Sequence, residues 1–211
     1  MKSLRHQFDT LMVLALIGIV PALFYYLIVH KTIFFGLSWN NFLGLLPFYF
    51  AIKANAASHK ITRWFSAGLW LLFLPNAPYL ITDLVHIHQN RGYQGFVFYL
   101  VAVLLFTGLL SWLFSVRIML ARLPCILRQW KIIRVYGYGL LCILSGIGVA
   151  MGRFARLNSW EMLYEPWNIV KSTIIMYTHF WPWIITLLIA GFLYLVGFAV
   201  KPLSGFRKMT I

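Results

Sequence analysis

The stretch LPNAPYLITDLVH, residues 74–86, closes a nearly pure apolar run, yet it spaces Asn76, Tyr79, Asp83 and His86 three, four and three apart. On a helix those steps put all four side chains on one face. A second polar block, GRFARLNSWEMLYEP (152–166), carries Arg153, Arg156, Asn158 and Glu161. The chemistry these residue types support best is anion recognition. Arginine offers planar, bidentate donors to phosphate or carboxylate, and Asp83 balances the charge. Asp83, His86 and His179 form a different set, suited to a divalent metal, with Glu161 activating water. No H-E-x-x-H, G-x-S-x-G or C-x-x-C stands behind that alternative. No cofactor is therefore expected, and a divalent metal remains the second option.

Simpler roles account for several of these residues. Arg153 at a helix C-terminus suits the macrodipole and can reach the headgroups. Asn158 with Glu161 three residues on resembles a capping box. Tyr79 fits as an amphipathic side chain near an interface, and His179 as a partner to one neighbour. His88 points about 160° away from His86 at the ideal pitch. Asp83 resists such explanations, because it meets the negative end of the helix dipole and loses hydration near a membrane. It needs a cation, and Arg153 or Arg156 is the expected partner. Pro75 and Pro78 each lack an N–H and free carbonyls one turn earlier, and Asn76 and Tyr79 are placed to bond those carbonyls or a ligand. Irregular backbone of this kind at membrane depth is tolerated where it is buried in protein or lines a cavity.

The elements that position these residues follow from composition. The chain is 62% hydrophobic and 10% charged over 211 residues, against roughly 25% charged in a soluble domain. Six windows lack Asp, Glu, Lys and Arg: 10–29, 32–52, 64–82, 92–116, 135–152 and 172–200. Each approaches the roughly 20 residues a bilayer-crossing helix needs. The expected fold is a single all-α transmembrane bundle over 1–211, with six spans at about 10–29, 32–52, 64–85, 92–116, 135–152 and 172–200. Asn40, Asn41 and Pro47 make the second window the weakest.

Of the 18 basic residues, 13 fall in alternate segments. That bias places both termini and the loops 53–63 and 117–134 in the cytoplasm. It also explains the net charge of +14 through anionic headgroups at the cytoplasmic face rather than nucleic acid. The first helix carries no small-residue cleavage site and is expected to remain uncleaved. Cys125 in a loop and Cys142 in mid-helix give no disulfide framework. Residues 117–134 read as an interfacial stretch. Gly148 and Gly152 read as a packing seam, with Trp160, Trp167, Trp181 and Trp183 as an outer aromatic belt. Helices three and five both run outward, so Asp83, Glu161, Arg153 and Arg156 share the less basic face.

LWLLFLPNAPYLITDLVH and GRFARLNSWE together resemble the two signature blocks of an uncharacterised bacterial membrane-protein family, domain-of-unknown-function family 1361. The resemblance extends from about helix two to helix six. Glu161 stands where that pattern usually has Asp, and Leu157 where it often has an aromatic residue. The resemblance implies a multi-spanning protein of the bacterial plasma membrane and brings no activity. Three functions stay open: a binding or transport-type protein with an outward-facing pocket for a small anion or lipid headgroup, a membrane-embedded hydrolase, and an accessory subunit that docks a membrane-protein partner.

Overall fold

The computed structural model of the chain describes residues 2–84, 94–121 and 131–199. These are helical, with no strand among the described residues. Helix α1 spans Lys2–Val29, α2 Thr32–Ala56 and α3 Lys60–Phe73, after which a short α4, Asn76–Tyr79, passes into a 3-10 turn, Leu80–Leu84. Helix α5 spans Gln94–Ala121. Helix α6, Lys131–Ala150, continues into a π-helical turn, Met151–Ala155. A second 3-10 turn, Ser159–Leu163, precedes α7, Pro166–Met176, and α8, Phe180–Ala199. The readings of His86, His88, Cys125 and most of the 117–134 stretch lie outside the described residues.

Polarity is distributed inside out. Leu27, Leu187, Phe24 and Phe198 are exposed, whereas Asn41, Asp83, Thr107, Ser111, Ser115 and Ser145 are buried. In water this arrangement would forfeit apolar burial and leave a large exposed apolar surface. Against lipid tails it costs nothing, because the tails are as apolar as leucine. The buried hydroxyls are satisfied by backbone: Thr107 donates to the Val103 carbonyl (2.8 Å), and Ser111 crosses from α5 to the Gly44 carbonyl of α2 (2.7 Å).

Among the described residues five segments are long and apolar enough to cross a membrane: His6–Val29, Lys60–Leu84, Gly95–Ala121, Tyr136–Ala155 and Phe180–Ala199. The second window is not among them. Its helix has 25 residues, about 37 Å of rise, so length is not the obstacle. Ser38, Asn40 and Asn41 lower its apolarity, and it packs against α1, α3 and α5. A helix so enclosed need not be lipid-grade along its whole length.

Two expected helices are broken. The expected span 172–200 is divided by Tyr177–His179 into α7 and α8. The expected span 64–85 is interrupted at Pro75, where the missing N–H ends regular α3. Three neighbours close on that break through glycine. A Cβ at Gly108 of α5 would strike the Ala77 carbonyl, and one at Gly148 of α6 would strike the Pro75 ring. At Gly44 of α2 it would lie 2.8 Å from Leu80. Ala77, Pro78 and Leu80 are buried as a result. The Gly148 and Gly152 seam is thus a packing contact, and a Cβ at its second member would lie 3.0 Å from the Tyr79 ring.

Candidate functional site

Between α3 and α6 lies a cavity of about 1030 Å³. The contacts Pro75–Gly148 and Tyr79–Gly152 run alongside it and fix the two strands of chain in parallel register. Asn76 and Tyr79 line it from the α3 side, and Arg153, Arg156, Asn158, Ser159 and Trp160 from the segment after α6. Asn40 and Leu43 reach it from α2. The two polar blocks, 83 residues apart at Asn76 and Ser159, are joined directly: the Ser159 hydroxyl donates to Asn76 Oδ1 at 3.2 Å. The amide nitrogen of Asn76 is buried and has no hydrogen-bond partner among the described residues. A donor left in that condition costs about 1–3 kcal/mol.

The arginines owe their positions to local backbone. After Ala150 the helix widens into a π turn. Leu157 N–H then reaches the Met151 carbonyl (3.4 Å), leaving Arg156 in the left-handed region at φ 53° and ψ 31°. That closure usually takes glycine, because a Cβ there costs roughly 1–2 kcal/mol. Here a charged residue holds the position. Local strain and π turns of this kind recur where function constrains the backbone.

Asp83 does not share this space. It is 1% exposed and accepts both contacts from Asn40 Nδ2, at 3.2 and 3.3 Å. The expected ion pair with Arg153 or Arg156 is not formed. The helix break explains why. Leu80–Leu84 is a 3-10 turn, and four steps at about 120° rather than 100° rotate Asp83 by roughly 80° relative to a continuous α-helix. Asn76 and Tyr79 therefore face the cavity, and Asp83 faces α2, one residue behind the cavity wall.

Glu161 and Glu165 are likewise held by asparagine. Asn158 Nδ2 donates to Glu161 Oε1 at 2.6 Å, and Asn168 Nδ2 to Glu165 Oε2 at 2.8 Å. The Asn158–Glu161 spacing brings the two side chains to each other rather than to the backbone donors of a capping box, and Asn158 makes no side-chain cap. The Tyr164 pKa is raised, first by desolvation and then by the Glu161 and Glu165 charges. All four side-chain carboxylates of the chain lie in described residues, and neither Arg153 nor Arg156 is paired with one. Among the described residues, the two arginines of the cavity wall have no carboxylate partner.

His179 sits exposed at the start of α8, away from the cavity lining. Among the described residues no three His, Cys, Asp or Glu side chains converge as a metal set would. Asn40 and Ser159 are the site residues that sequence reasoning missed. Asn40 was visible only as an interruption of an apolar window, and Ser159 only as part of a block whose partner was unknown.

The fold and cavity define a class: an all-helical protein with several membrane-grade helices and an arginine-lined cavity between two of them. Residues 39–196 match the family described as "Protein of unknown function (DUF1361)". With that match covering most of its length, the chain belongs to this family. Comparison with curated proteins finds no match, and comparison with solved structures finds none.

Proposed function

We propose that the chain is a binding or transport-type protein of the bacterial cytoplasmic membrane, with α2 as a sixth span and both termini cytoplasmic. Its cavity opens on the outer side and holds an anionic group. One observation carries this reading: Arg153 and Arg156 line one cavity with Asn76, Asn158 and Ser159, while asparagine side chains take up the nearby carboxylates. A guanidinium pair without protein carboxylates fits an external phosphate or carboxylate. Membrane lipids surround the bundle, and its basic segments meet anionic headgroups at the cytoplasmic face.

Two measurements test it. Exposed Asn168→Cys should react with an impermeant maleimide in intact cells, and exposed Ser58→Cys should not; the reverse pattern would overturn the orientation. Glycerol phosphate should raise the unfolding midpoint of the purified chain saturably, and Arg153→Gln/Arg156→Gln should abolish that rise. An unshifted midpoint in the unaltered protein would remove the anion site.

A further inference from the structure

The charged residues of the cavity lie at one end only. The contacts Pro75–Gly148 and Tyr79–Gly152 set α3 level with α6, so Leu71 and Leu72 lie at the height of Leu144. Arg153 stands nine residues further along, about 14 Å of helix. The lower walls, Gly68, Leu71 and Leu72 against Leu144 and Ile147, are apolar apart from Ser145, whose hydroxyl is taken up by the Leu141 carbonyl and the Trp112 indole N–H. They are also open to the side. Leu71 is 44% and Leu144 38% exposed, and a Cβ at Gly68 would meet nothing within 4 Å. In the proposed membrane orientation that opening faces acyl chains. At the polar end Trp160 packs edge-on against Trp39, and Trp167 is 82% exposed. Tryptophan collects at the headgroup level. The volume, about 1030 Å³, is at the top of the ~300–1,000 Å³ range for small-molecule sites.

We infer that the occupant is a lipid of the surrounding bilayer with an anionic phosphate head. The head meets Arg153 and Arg156, and an acyl chain lies in the α3–α6 cleft, having entered sideways. This rests on the anion-binding reading above and names its ligand class. Charge complementarity selects the head, and the apolar walls select the chain. A soluble anion would leave those walls without a function.

The test uses the full chain in bilayer discs holding phosphatidylglycerol and phosphatidylcholine with identical dioleoyl chains, followed by native mass spectrometry of retained lipid. The protein should retain phosphatidylglycerol at least tenfold over phosphatidylcholine. Gly68→Leu and Leu144→Trp fill the cleft from positions with room to spare, so folding should survive. They should lower retention at least fivefold while leaving the glycerol phosphate midpoint shift unchanged. Arg153→Gln/Arg156→Gln should lose both responses. If the cleft variants retain phosphatidylglycerol fully while glycerol phosphate still shifts the midpoint, the ligand is a free anion and the lipid assignment is overturned. Equal retention of the two lipids overturns the anionic head. Loss of the glycerol phosphate shift in the unaltered protein removes the anion site itself, and the lipid inference with it.

Discussion

The chain breaks a helix in two places beside the cavity, and the two breaks are built differently. At Pro75–Leu80 the irregular backbone is enclosed by Gly44, Gly108 and Gly148 from three helices, and its central residues are buried. At Met151–Leu157 there is no proline. The turn lies at the rim, Arg156 is exposed, and it occupies a backbone conformation that disfavours side chains. The first break is enclosed by three helices on its packed side. The second holds strain and displays charge. Proline with packed glycine makes a structural break, and the left-handed arginine is the strained residue of the second one.

Crowding the first break should have the largest effect. Gly108→Leu drives a side chain into the Ala77 carbonyl and should destabilise by about 3 kcal/mol, as overpacking does. Thermal unfolding in detergent measures it, and a variant as stable as the parent would show the break to be loosely held. Asn40→Ala should come next, at about 2 kcal/mol, because it strips two contacts from a buried carboxylate. Asp83→Asn sharpens the contrast if the anion response persists, since Asp83 lies outside the cavity wall. A double-mutant cycle of Asp83→Asn with Arg156→Gln should be additive within about 0.5 kcal/mol. Strong coupling would restore the ion pair that the structure replaces with Asn40.

The first break was legible from the sequence and the second was not. Pro75 and Pro78 announce an interruption whatever surrounds them. The alternation of charge and apolar windows likewise gave the helical class and most helix positions. Asp83 was misdirected for a specific reason: spacing of three and four presumes 3.6 residues per turn, and the 3-10 turn changes the angle. Topology put Arg153 and Arg156 on the same side as Asn76 and Tyr79, and these four residues line one cavity. Nothing in GRFARLN signals a left-handed arginine, because the closure that imposes it is a tertiary outcome. Asn40 was hidden because its partner is 43 residues away.

The smallest effect belongs to the cleft wall. Gly68→Ala, in open space on α3, should stabilise by roughly 0.5–1 kcal/mol through helix propensity alone. Destabilisation there would mean that the cleft is closed in the folded protein.

Arg156→Gly bears most directly on the contrast between the two breaks, because one substitution carries two opposed readouts. Glycine accepts the left-handed conformation freely, so the unfolding midpoint without ligand should rise, by the equivalent of about 1 kcal/mol. The midpoint shift on adding glycerol phosphate should fall severalfold, because one of the two cavity guanidiniums is gone. Stability gained with anion response lost is the predicted result; stability lost with the anion response intact would contradict it.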